Sequence, residues 1–283
     1  MKPTELPVRA LLTVLSLFAA LAAGELAAVA FPPVAGRFVG PAAVAAAALG
    51  LAVLLIRRID KRPVSALGLA PDRAAVRGSV AGLVAVAVAV AVATGLAVVL
   101  GLTQPPPAEQ RLSGTVVLVL LAQAFLLQGF PEELLFRGYL VQTAQGRLPR
   151  WGVMTLSVLL FTVLHLLSSS GAQSVAQRLL FLLIPAGFAL IATVLRLATG
   201  SVWPAVAVHG GFHVSYFVAG VWVAPAPETY GTYLTVFGIV MLATGVIVAG
   251  AGHRAARPTE SAERAAEEPE GQAIDAGNRS QTR

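Results

Sequence analysis

The sequence predicts an all-α fold, a polytopic transmembrane helix bundle of about eight helices with both termini in the cytoplasm. Three observations carry this reading. First, 57% of the 283 residues are hydrophobic and only 12% are charged, about half the 25% or so of charged residues typical of a soluble domain. Second, the apolar residues come in long unbroken runs, with a mean hydropathy of +0.78. Third, the basic residues gather on one side of those runs. Such a composition excludes a soluble enzyme, a disordered chain and a nucleic-acid binder, even at a formal charge of +6. With no cysteine, the chain has no disulfide framework, thiol nucleophile or cysteine zinc site.

A hydrocarbon core about 30 Å thick needs roughly 20 apolar residues per helix. Runs of that order lie at Val8–Phe31, Phe38–Ile56, Val80–Leu102, Leu112–Gln128, Trp151–Leu167, Leu179–Ala198, Val202–Val223 and Gly231–Ala251. The first is long and is followed by further spans, so it reads as an uncleaved helix rather than a signal peptide cut after Ala28-Val29-Ala30. The third alternates Val and Ala from Val84 to Ala93. Both are apolar, and a lone strand leaves its backbone unsatisfied in lipid, so it reads as a helix.

Eight spans put both ends on one side. Lys2, Arg9, the Arg57–Arg77 cluster, Arg137, Arg147, Arg150, Arg196 and the five tail arginines place 17 of the 20 basic residues there, against Arg37, Arg111 and Arg178 opposite. This is a positive-inside pattern that puts the termini in the cytoplasm of a cell-membrane protein. The loops are short. Gln104–Glu109 is stiffened by three prolines, and Ser168–Ser174 is rich in serine and reads as flexible. Residues 1–253 form the bundle, and 254–283 read as a disordered polar tail.

Ionisable residues inside spans are costly and by default functional. Glu25 and Arg196 lie near helix ends, where long side chains reach the interface. Six others do not: Glu132, Glu133, Arg137, His165, His209 and His213. Gly129 and Pro131 read as an interruption of the fourth span, with Pro131 at the first position of a new helix. Glu132 and Glu133 then fall in its first turn, where the helix dipole favours carboxylates. Glu133 and Arg137 are spaced i, i+4 in the favourable order for an ion pair, structural or catalytic. Glu132 points about 100° away and has no partner in its own helix, which makes it the better candidate for chemistry.

His165 follows Phe161 at i+4, so the two share a face of the fifth helix. His209 and His213 are also i, i+4, with Gly210 and Gly211 between them permitting close approach of another helix. Ser201 is placed to cap that seventh helix. A His-x-x-x-His pair is a metal-ligand spacing, but Gly occupies the position of the glutamate found in the common zinc-protease motif.

Glu132-Glu133-x-x-x-Arg137, Phe161-x-x-x-His165 and His209-x-x-x-His213, on three successive membrane helices, together resemble the CAAX protease and bacteriocin-processing (CPBP, or Abi) family of intramembrane endopeptidases. Gly138-Tyr139-Leu140 is also similar. The resemblance spans a core of about 112–217, and the family's third motif ends in Asn where this chain has His213.

The resemblance implies a membrane-embedded, glutamic-type endopeptidase. Glu132 and His165 would activate water, His209 with His213 would stabilise the oxyanion, and Glu133, Arg137 and Phe161 would support them. This reading needs no cofactor. A metallo-type alternative would place a divalent metal such as zinc on Glu132, His165, His209 and His213. The implied partners are a peptide or lipidated protein substrate and membrane lipids, with no nucleic acid. The competing class is a membrane protein that cleaves nothing: a transporter, or an immunity or scaffold protein on the same fold.

Overall fold

The computed structural model describes residues 5–106, 113–168 and 171–255. The tail expected to be disordered lies outside the described residues from position 256 onward. The chain divides into two units, Met1–Ala249 and Gly250–Arg283, and the first holds the bundle.

Eight helices build it, as the composition demands: α1 (Leu6–Val29), α2 (Pro33–Leu54), α3 (Arg73–Val99), α4 (Gly114–Ala144), α5 (Arg150–Leu164), α6 (Val175–Thr199), α7 (Trp203–Gly220) and α8 (Tyr230–Ala255). Among the described residues seven helices are long and apolar enough to cross a membrane. The eighth, α7, is diluted by His209, His213, Ser215 and Tyr216. The only strands among the described residues, β1 (Thr103–Gln104) and β2 (Ala224–Pro225), pair antiparallel and tie the loop after α3 to the loop after α7.

The Val-Ala alternation of α3 is helical, and both residue types fall on both faces, with Val86 and Val90 buried and Ala91 exposed. Ala89, Ala93 and Ala97 are buried, whereas Val80, Val84, Val88 and Val92 are exposed on the outside of the bundle. Exposed valines suit hydrocarbon, and buried alanines let α7 come close. The close approach expected at Gly210 and Gly211 is also present. A Cβ on Gly210 would strike the Phe125 ring of α4, and one on Gly129 would lie 3.2 Å from the Gly210 nitrogen. Ser201 Oγ accepts from the Trp203 amide at 3.3 Å, but the N-cap of α7 is Val202 and not Ser201 as expected.

Two further expectations are corrected. Gly129 and Pro131 do not end a helix: Gly129 keeps right-handed helical angles (φ −55, ψ −56), and α4 runs on to Ala144. The helix instead widens to π-type turns over Ala122–Gly129 and Leu134–Leu140, with an α-helical turn at Phe130–Glu133 between them. Proline removes an amide donor and crowds the carbonyl four residues back. A shift from i→i−4 to i→i−5 bonding accommodates both without breaking the rod. Glu132 and Glu133 therefore lie mid-helix, without the free amide groups of a helix start.

Arg196 does not reach the interface either. It is 4% exposed, and its guanidinium donates to the carbonyls of Arg137 (2.9 Å), Ala66 (3.2 Å) and Gly200. Gly200 closes α6 in the left-handed conformation (φ 71). The turn Val64–Leu67 and Gly68 dock here, with the Val202 amide on the Gly68 carbonyl at 2.9 Å and Trp203 Nε1 on the Leu69 carbonyl at 2.8 Å. Three backbone acceptors inside the protein satisfy this cation better than a stretched side chain could. Glu25, by contrast, is exposed, as expected of an interfacial residue.

Gly187 on α6 touches α8: an added Cβ would lie 2.7 Å from the Leu242 nitrogen, a backbone atom that cannot swing aside. At Gly95 the same atom would meet nothing within 4 Å. Gly187→Ala should lower stability by about 1–3 kcal/mol through overpacking, and Gly95→Ala should not. Thermal unfolding of both variants in detergent checks the contrast.

Candidate active site

The site is built where α4, α5, α6 and α7 face one another, around one buried cation. Arg137 is 0% exposed. Its Nη1 donates to Glu133 Oε1 at 3.1 Å, its Nη2 to the Ala189 carbonyl at 3.3 Å and its Nε to Thr193 Oγ1 at 3.4 Å. The guanidinium carbon sits 4.3 Å from the centroid of the Phe161 ring, within cation–π range. Thr193 gives its own hydrogen to the Ala189 carbonyl at 2.7 Å, so Ser157 Oγ, 3.2 Å away, donates to Thr193. The i, i+4 pair expected from the sequence is thus one edge of a network spanning three helices.

Glu133 is equally buried and doubly held. The same Oε1 that accepts from Arg137 lies 3.0 Å from His209 Nδ1, while Oε2 has no hydrogen-bond partner among the described residues. With a carboxylate as acceptor, Nδ1 carries the hydrogen, which fixes the ring and leaves Nε2 as its other polar atom. Phe188 packs on that ring with centroids 4.9 Å apart. His209 is therefore tied to Glu133, a link that the linear spacing of the motifs does not show.

Glu132 makes no hydrogen bond or ion pair with any described residue. It is half-buried and lines a cavity of 160 Å³ together with His165, Phe161, Phe136, Ser168 and Leu17. His165 stands at the end of α5, where the α-helix gives way to a 3-10 turn, His165–Leu167. Its Nδ1 is 2.9 Å from the Phe161 carbonyl. A carbonyl only accepts, so Nδ1 carries the hydrogen, and in the neutral ring the lone pair lies on Nε2. Phe161 orients this imidazole from both sides of the residue, with its carbonyl on Nδ1 and its ring 4.6 Å from the histidine ring. Ser168 Oγ donates to the His165 carbonyl at 2.7 Å and closes the turn.

The structure thus brings Glu132, His165 and Phe161 to one cavity and packs Glu133, Arg137 and His209 beside it. It does not bring His213 there. That ring lies 5.2 Å from the His209 ring but lines a different cavity, with Gln123, Gln128 and Tyr216. Among the described residues no three His, Asp or Glu side chains are grouped to hold a metal ion. Glu133 on Nδ1 of His209 and the Phe161 carbonyl on Nδ1 of His165 leave Nε2 of each ring open, while His213, on a different cavity, is not grouped with the other three residues of the four-ligand zinc set.

Sequence reasoning missed Thr193, Phe188, Ser168 and the role of Arg196. Ala189, Thr193 and Arg196 follow one another at i, i+4 and i+7 of α6. The polar pair Thr193 and Arg196, at i, i+3 in an otherwise apolar span, was the available signal.

Residues 114–215 match the family model described as type II CAAX prenyl endopeptidase Rce1-like. This segment is similar to the Rce1-like CAAX protease family. The match begins with α4 and ends in α7, so it takes in all three motifs and the whole Arg137 network. α1 to α3 and α8 lie outside it. No curated protein matches the chain. An Rce1-like segment inside a bundle with seven candidate spans makes this a multi-pass membrane protein with a core of protease type.

Removing one member of a buried ion pair strands the other, at about 3–5 kcal/mol. Arg137→Met should therefore destabilise by about that amount, and Glu133→Leu/Arg137→Met should recover most of it. Denaturant unfolding in micelles measures both.

Proposed function

We propose that the chain is a glutamic-type intramembrane endopeptidase that uses Glu132 and His165 to activate water against a peptide carbonyl. One observation carries this reading: of two adjacent glutamates, Glu133 is locked by Arg137 and His209, while Glu132 is unpartnered in a cavity shared with His165. A free carboxylate beside an oriented imidazole is the arrangement that general acid–base hydrolysis requires.

In this mechanism Glu132 accepts a proton from water as the oxygen attacks the carbonyl carbon. The electron pair of the carbonyl bond moves to oxygen, and His209, as an imidazolium whose Nδ1–H is held by the Glu133 carboxylate, donates its Nε2–H to that oxyanion. Collapse of the tetrahedral intermediate breaks the C–N bond. The proton taken from water, passed through Glu132 or the Nε2 of His165, goes to the leaving amine. Thr193, Arg137 and Phe161 hold these groups and do not touch the substrate. His213 lines a different cavity from Glu132, so the mechanism gives it no direct part at the oxyanion. No metal or other cofactor enters the steps.

The cavity walls supplied by Leu17, Phe18 and Leu21 of α1 and by Leu164 of α5 suit an apolar substrate side chain. The substrate is a peptide or a lipidated protein tail, in line with the prenyl endopeptidase family matched. Residues 1–253 act as the catalytic bundle in the cell membrane, and 254–283 as a polar extension. The termini are cytoplasmic by the distribution of basic residues. That asymmetry survives setting aside Arg137 and Arg196, which sit inside the bundle and not in loops.

Mass-spectrometric mapping of protein termini tests the reading in membranes expressing the wild type or Glu132→Gln at matched levels. Termini present only with the wild type are expected, with losses on the order of 10²-fold or more in the variant. Identical maps, with both proteins folded, would favour a membrane protein that cleaves nothing.

A further inference from the structure

The cavity holding Glu132 is lined largely by apolar side chains, yet hydrolysis consumes water. Further polar side chains of α4 line other cavities, separate from that of Glu132. Three cavities meet at Gln123. One of 510 Å³ is bounded by Glu25, Arg37 and Gln123, and one of 280 Å³ by Arg37, Thr115, Gln123 and Phe217. The third, of 260 Å³, is bounded by Gln123, Gln128, His213 and Tyr216. Arg37 is common to the first two, and Leu120 and Phe217 to the last two. These shared walls place the three cavities side by side, from Arg37, Thr115 and Gly220 at the ends of α2, α4 and α7 to His213.

Gln123, Gln128 and His213 make no hydrogen bond with any described residue. A glutamine amide offers two donors and two acceptor sites, and hydrocarbon can satisfy none of them. Such side chains in a membrane helix face water or a bound ligand. The innermost cavity has room for several waters at about 30 Å³ each. Its inner wall is His213, whose ring lies 5.2 Å from the His209 ring, and His209 contacts Glu133.

We propose that Gln123, Gln128 and His213 line a water-filled vestibule, separate from the Glu132 cavity, that opens at the membrane face carrying Thr115 and ends against the histidine pair of α7. Its use in supplying water for hydrolysis rests on the protease reading; its existence does not. His213 gives this vestibule a polar inner wall at the position where the resembled motif has asparagine.

The chain contains no cysteine, so single-cysteine variants report water access without background. Gln123→Cys and Gln128→Cys in sealed vesicles would be exposed to a negatively charged, membrane-impermeant methanethiosulfonate. Both should react at least about tenfold faster than Leu126→Cys, whose parent side chain is exposed on the outside of the same helix segment. They should also react from the same face as Thr115→Cys. Reaction no faster than Leu126→Cys, or only from the opposite face, would overturn the vestibule. If Gln128→Cys fails to fold, Gly220→Cys and Gln123→Cys carry the same comparison. Labelling needs no cleavage, so a reactive vestibule in a protein that cleaves nothing would overturn only the protease reading. For the supply role, Gln128→Leu should lower kcat several-fold at unchanged KM on a substrate found by terminus mapping. An unchanged kcat would remove that role.

Discussion

A guanidinium sealed from water at the middle of the bundle is the constraint around which the other parts are arranged. Arg137 cannot shed its charge, so every polar contact it needs must come from the protein. Glu133, the Ala189 carbonyl and Thr193 supply them, and the face of Phe161 covers what remains. These partners lie on α4, α6 and α5, so satisfying one cation fixes three helices relative to one another. Glu133 extends the lock to α7 through His209. Because Glu133 is consumed in this way, its neighbour Glu132 is the carboxylate left facing open space. The adjacency of two glutamates thus separates a structural role from a chemical one within a single helical turn.

The backbone of α4 takes part in this. Its π-type turns absorb Pro131 and let Gly129 meet Gly210. Arg196 then holds the Arg137 carbonyl while gripping Ala66 and Gly200. The second arginine therefore braces the helix that carries the first. Both are satisfied mainly by backbone oxygens and by side chains that a water-facing protein would spend at its surface.

Much of this was legible in the sequence. Eight apolar runs gave eight helices, because in lipid a backbone of this kind has few other ways to satisfy itself. The i, i+4 spacing of Glu133 and Arg137 marked their ion pair, and Gly210 marked a close crossing. What stayed hidden depends on contacts between distant segments or on small shifts in backbone bonding. Gly129 and Pro131 read as a break, since hydropathy and propensity do not register a change from i→i−4 to i→i−5 bonding. Arg196 read as interfacial because its acceptors are main-chain carbonyls 59 and 130 residues away, and a nearer one at Gly200. His213 shares a face with His209, yet a shared helical face did not place both at one cavity.

The division of labour between the two glutamates is the central claim, and replacing each by glutamine tests it most directly. Both variants would be followed by their unfolding midpoints in detergent and by cleavage of one substrate. Glu132→Gln is expected to unfold within about 1 kcal/mol of the wild type while losing cleavage. Glu133→Gln, which leaves Arg137 buried without its counter-charge, is expected to lose about 3 kcal/mol or more. The opposite order, with Glu132→Gln unstable and Glu133→Gln stable but inactive, would contradict the account.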